Sequence, residues 1–351
     1  MSWHRWLAPV LLLAAPGGSA GQGFSATPGS ISTPLDDIAD WNAYNRAGWQ
    51  AIGHGWNDTA ERQFLAAIKI AKRPSMKDPH LMVRSYADLA WALQLQGRNA
   101  EAEPLARWAL ESRQKLHAAN SIPVAQSLNQ LATLYSDLGR HGEAEPLLNR
   151  ALQAQAGNEK ANGQEHARTR TLLGLLMIAQ RRYDEADREF DRVVKLRERS
   201  LGPSHPETGD ALNNLGLVKL ERGREDEARG LFDRALSIFE RSRGPSDISA
   251  ARALEGLARI DAKRGDLSAA EGRYGRAVAI RDGLPPPGDP TSAATLSQYA
   301  DVLQRLGRPD EAKKVRARAG KANNRPEPAA SDLKPRNPAS EPPAPGPTAR
   351  G

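Results

Sequence analysis

The residues with the most regular spacing among those able to do chemistry are arginines. Arg84, Arg168 and Arg252 follow one another at a constant interval of 84 residues, with Arg259 close to the last. A guanidinium group binds a carboxylate through paired, charge-assisted hydrogen bonds. A row of them suits holding a partner more than breaking a bond. The residue types that break bonds lack any such order. The seven histidines are scattered: His54 and His141 fall in helix–helix turns, and His80, His166 and His205 stand near helix starts. No His-Glu-x-x-His, phosphate-loop, Gly-x-Ser-x-Gly or calcium-loop pattern occurs. Cysteine is absent, which excludes disulfides, thiolate metal sites, cysteine nucleophiles and a lipid anchor on cysteine. The carboxylates sit at regular offsets that assign them to helix starts and solvated faces. The sequence therefore predicts no catalytic residue, no metal, no cofactor and no enzymatic activity.

What must position the arginines is a repeat. Leu201–Arg241 reads as two helices joined by a turn at Gly223-Arg224. Stepping by 42 residues from Ala228 lands on Ala60, Ala102, Ala144, Ala186, Ala270 and Ala312. The turn column reads Gly55, Gly97, Gly139, Arg181, Gly223, Gly265 and Gly307. Twelve residues before each anchor alanine stands Gly48, Ala90, Ala132, Gly174, Gly216, Ala258 or Ala300, usually preceded by leucine. Columns of tiny residues mark places where two helices approach too closely for a larger side chain. Self-similarity of helix pairs at a fixed period predicts an all-α solenoid, each unit burying its apolar face on its neighbours.

These small-residue offsets, the leucine before the first of them and the turn glycine resemble the tetratricopeptide repeat. Leu201-Gly202-Pro203-Ser204-His205-Pro206-Glu207, Asn213-Asn214-Leu215-Gly216 and Arg234-Ala235-Leu236 are similar to its long-period, kinesin light chain-like subclass. The resemblance covers about residues 41–320. It implies a right-handed superhelical solenoid of about seven repeats, at about 41–79, 80–122, 123–165, 166–206, 207–248, 249–289 and 290–320. It also implies that the first helix of each pair lines a concave groove. Asparagine two residues before the leucine holds the backbone of an extended peptide in such proteins, and Asn45, Asn129 and Asn213 match. Arg84, Arg168 and Arg252 fall in the same groove, where they favour a carboxylate-bearing partner; the alternative is that neighbouring acids such as Asp88 or Asp210 pair with them. Leu175 and Leu217 form an apolar floor for an anchoring side chain.

The ends differ from the body. Residues 1–20 carry Arg5, an apolar run from Trp6 to Ala15, a break at Pro16-Gly17 and small residues up to a cleavage point after Ala20, the pattern of a cleaved secretory signal. That run falls short of the ~20 apolar residues that span a bilayer. Residues 21–35 read as a flexible leader, 36–320 as the solenoid, and 321–351 as a disordered Pro- and Ala-rich tail. The Arg-, Ala- and Pro-rich composition suggests a bacterial source, so the mature chain is expected in the periplasm or outside the cell. The net charge is +7, but both signs are interspersed along helix faces, so nucleic acid is not an expected partner. The expected partners are other proteins, bound through an extended and acidic segment. Two other classes remain open: a self-assembling structural protein, and a binder of cell-wall polymer through the basic surface and tail.

Overall fold

The computed structural model describes residues 33–156, 163–283 and 292–322. The expected signal, residues 157–162 and 284–291, and all of the expected tail but Lys321 and Ala322, which extend the last helix, lie outside the described residues. Among the described residues fourteen helices follow one another without a strand. They pair as α1 (Pro34–Gly53) with α2 (Asn57–Ala71), α3 (Pro79–Leu95) with α4 (Asn99–Leu116), and α5 (Ile122–Asp137) with α6 (His141–Gln155). The pairs continue with α7 (Gly163–Ala179) and α8 (Tyr183–Leu201), α9 (Pro206–Glu221) and α10 (Glu225–Ser242), α11 (Ile248–Arg264) and α12 (Leu267–Asp282), and α13 (Ser292–Arg305) and α14 (Pro309–Ala322). Each helix packs on the next in sequence, and α3, α5 and α7 also touch in succession, as do α9 and α11. This is an all-α solenoid of about seven helix pairs.

The columns read from the sequence have distinct physical roles. All seven anchor alanines are fully buried. The turn column has positive φ throughout, from 60° at Arg181 to 86° at Gly265, which is why six of its seven members are glycine. The small column separates paired helices. A Cβ on Gly174 would sit 2.9 Å from the Phe190 ring, and one on Gly216 would sit 2.9 Å from the Phe232 ring. Gly48 stands in the same relation to Phe64.

Helix starts follow local chemistry. Asp78 accepts from the His80 N–H at 2.9 Å, with Pro79 at the first helical position. At α9 the cap acceptor is the His205 imidazole, which takes the Glu207 N–H at 3.2 Å. The first helix begins at Pro34, with Thr33 and Asp36 forming a capping box, so the helix takes in the last two residues of the expected leader.

Between repeats runs a ladder that the sequence columns did not reveal. The second helices α4, α6, α8 and α14 are each preceded by an arginine. Arg140 bonds Glu143 three residues on and Glu103 of the previous pair, both at 2.7 Å. Arg98 does the same with Glu101 and Glu61, and Arg182 with Glu185 and Glu145. Arg308 bonds Glu311 and Glu271. The helix-opening glutamates thus serve as ion-pair partners as well as complements to the helix dipole.

Candidate functional site

A groove of about 620 Å³ opens along α3, α5 and α7, closed at one end by the last turn of α4. Its formation follows from the repeat: the first helices lie side by side, and their exposed edges leave a channel between them. Arg84, Arg113 and Arg168 line it, against a single carboxylate, Asp88. Trp49 and Trp91 supply apolar walls, and His80 and His117 stand beside Arg113.

The charges are not equivalent. Asp88 accepts from Asn45 Nδ2 at 2.7 Å, and Arg84 Nε lies 3.8 Å from it. Burial pushes the Asp88 carboxyl above the ordinary carboxylate range, opposed by the bond from Asn45 and the charges of Arg84 and Arg113. Arg113 is committed to the fold: it donates to the Pro123 carbonyl at 3.2 Å and to Ser127 Oγ at 2.9 Å. Arg84 keeps a half-exposed guanidinium over the Trp41 ring, 5.6 Å from its centroid. Arg168 has no carboxylate within ion-pair distance among the described residues. Two buried polar atoms in the lining lack a partner, Trp91 Nε1 and Asn129 Oδ1.

The structure brings Arg84, Asn129 and Arg168 into this one groove and leaves the other four expected site residues outside it. Arg252 is bound to Asp210 at 2.6 Å with a largely covered side chain, so its charge is already answered. Leu175 is 5% exposed and belongs to the core, and Leu217 packs partly buried against the same core. Leu172, one helical turn earlier than Leu175, is the leucine that reaches the groove.

The asparagine column also needs correction. Asn45 reaches Asp88, Asn129 Nδ2 donates to Thr169 Oγ1 at 2.8 Å, and Asn213 Nδ2 donates to the Ser249 carbonyl at 3.2 Å. In the same column Glu255 accepts from Thr295 Oγ1 at 2.6 Å. Each partner lies on the next first helix. These four residues form a buried inter-repeat seam, and of the four only Asn129 is also at the groove. The physical reason is lateral packing: the adjacent first helix covers the position two residues before the leucine.

Sequence reasoning passed over His80, Arg113 and His117. They come from the two ends of one helix pair, 37 residues apart for the histidines, which no periodic column contains; Arg113 recurs at the 84-residue interval with Arg197 and Arg281, a signal that could have found it. The two histidine rings lie 4.7 Å apart, centroid to centroid. Among the described residues no group of three or more His, Asp or Glu side chains could hold a metal ion, and no helix is long and apolar enough to cross a membrane.

Comparisons with known proteins agree on the fold. Three tetratricopeptide repeat family models match, one over residues 165–241 and 211–282, one over 83–122 and 124–168, and one over 293–314. No curated protein matches the sequence. Among solved structures, BtubC (BKLC) from P. vanneervenii is similar at 21% identity and a TM-score of 0.54, over 70% of this chain and 96% of that one. A putative kinesin light chain of Podosopora anserina with nearly identical repeats shares 22% identity at a TM-score of 0.50, over 57% and 94% of the two chains. A Rap protein complexed with competence and sporulation factor reaches a TM-score of 0.62 at 15% identity, covering 82% of this chain and 76% of that one. At these identities the structures speak for the fold alone. The family models, the stacked helix pairs and the buried small-residue columns together make this chain a member of the tetratricopeptide repeat family.

Proposed function

We propose that the chain is a non-catalytic protein-interaction scaffold that holds an extended, acidic segment of a partner protein in the groove along α3, α5 and α7. One observation carries this reading: three guanidinium groups and two tryptophans share the groove with a single, buried carboxylate. An acidic ligand would meet Arg84 and Arg168 with little competition, since the first is weakly paired at 3.8 Å and the second faces no acid within ion-pair distance among the described residues. The tryptophans supply anchoring area of the kind that dominates interface energies. The unpartnered Asn129 Oδ1 and Trp91 Nε1 offer one acceptor and one donor, which suits the amide groups of a peptide backbone. The solved complex of a Rap protein with competence and sporulation factor supports the reading only by analogy of fold.

We place this work in the bacterial envelope, in the periplasm or beyond it. The support is the signal-like residues 1–20.

The test is a cross-linked capture from envelope extract with tagged protein, run beside an Arg84→Glu, Arg168→Glu variant. A defined partner held by the native form and lost by the variant, with helicity unchanged by circular dichroism, supports the reading. Equal capture by both forms overturns the groove assignment.

A further inference from the structure

The groove ends at His80 and His117, which neither the repeat pattern nor the family accounts for. His80 is the second residue of α3 and His117 caps α4, and the chain brings their rings to 4.7 Å with a 56° tilt. Both line the groove beside Arg113 and Arg84. Two imidazoles so placed could in principle grip a metal ion, but their surroundings argue otherwise. Arg113 lies next to them, Arg84 and Arg168 follow along the channel, and the one lining carboxylate is spoken for by Asn45. A cation brought there would meet three others. Among the lining residues an anion would meet none of its own sign except buried Asp88.

We infer that His80 and His117 form an acid-sensitive subsite for a carboxylate of the partner segment, so that the groove tightens on an acidic ligand as pH falls through the histidine range. This rests on the reading of the groove as an acidic-segment site. The direction follows from linkage. In the free protein, burial, the His80 ring and the Arg113 charge hold the His117 imidazole below its ordinary value. It is therefore neutral at neutral pH. A bound carboxylate stabilises the protonated ring, so binding takes up a proton, and affinity rises as pH falls.

The charged groups facing the pair are few. From α3 they are Arg84 and Asp88, and just before it Asp78, whose side chain accepts the His80 backbone N–H. From α4 they are Arg113 and, nearby in sequence, Lys115. The groove-side stretch of α5, residues 122–133, has no ionisable residue. From α7 come Arg168 and Glu165, the latter accepting from Gln126 Nε2 at 3.1 Å. Asp88 is the one competing titration. Its carboxyl is raised by burial, so its protonation would also make the groove more positive in acid.

Fluorescence anisotropy with a labelled hexa-aspartate peptide separates these contributions. The full chain, a His80→Gln, His117→Gln variant, an Asp88→Asn variant and the Arg84→Glu, Arg168→Glu variant would be compared at about pH 7.5 and about pH 5.5, at constant ionic strength. The native chain should bind about tenfold more tightly at the lower pH, one proton taken up across this range being worth up to tenfold per unit. The histidine variant should lose most of that gain while keeping its affinity at the higher pH, and Asp88→Asn should keep the gain. If the histidine variant shows the full gain, the subsite is overturned while the groove reading stands. If the native chain binds at neither pH, or the arginine variant binds as the native does, the groove reading falls and the subsite with it.

Discussion

Arg181 occupies the one turn of seven where the chain places a side chain at positive φ, 60°, instead of glycine. An L-residue there is strained by about 1–2 kcal/mol. Arg181→Gly should therefore raise stability by about 1 kcal/mol in urea unfolding; a loss would mean that the Arg181 side chain holds something in place that outweighs its backbone strain. Gly216 sits under Phe232, and Gly216→Ala should overpack the α9–α10 crossing by about 1–3 kcal/mol. Adding Phe232→Leu should recover part of that cost, which a double-mutant cycle would show as non-additivity. Asp88 gives a pH signature. Its folded-state pKa is raised, so between 3.8 and the folded value the native chain holds a proton that the unfolded chain has lost, and stability falls as pH rises. Asp88→Asn removes this term. Its stability relative to the native chain should climb through that window and level off above it, in denaturation curves taken at several pH values. Much at this scale was legible. Tiny residues and turn glycines recur because sterics admit nothing else, and Gly48, Gly174 and Gly216 each have a phenylalanine sixteen residues on. The histidine pair was not legible, since it depends on where α4 ends.

At the scale of helices the crossings decide. Ala186 is fully buried in α8, and Ala186→Leu should cost about 1–3 kcal/mol by overpacking; an unchanged melting temperature would count against the repeat register. The α11–α12–α13 junction holds a buried ion pair, Arg281 Nη2 to Glu255 at 2.7 Å, with both side chains 2% exposed. Removing Arg281 leaves a buried carboxylate, and Arg281→Ala should cost about 3–5 kcal/mol. Helix pairing and order could be read from periodicity. The rotation of each first helix about its axis could not, and it sent Asn213 and Glu255 into the seam and Leu175 into the core. A period of 42 fixes which residues are equivalent, but not which side the next helix covers.

Across the whole molecule two kinds of inter-repeat bond run in parallel. The seam of Asn45, Asn129, Asn213 and Glu255 is buried, whereas the ladder of Arg98, Arg140, Arg182 and Arg308 is partly open to solvent. Salt reaches only the second, since screening is strong for exposed charges and weak for buried ones. Arg140→Ala with Arg182→Ala should lower the melting temperature at low salt and do so far less at ~1 M, where the screening length falls to ~3 Å. A loss independent of salt would assign the ladder a packing role. The ladder's columns were present in the sequence, yet charge alone did not distinguish a bonded arginine from a solvated one.

The ladder has a mechanical side. One set of ties between successive turns yields to ions in the medium and the other does not. Pulled from its ends, the chain should act as a spring whose compliance rises with ionic strength, stretching further per unit force in brine and recoiling once the salt is washed away.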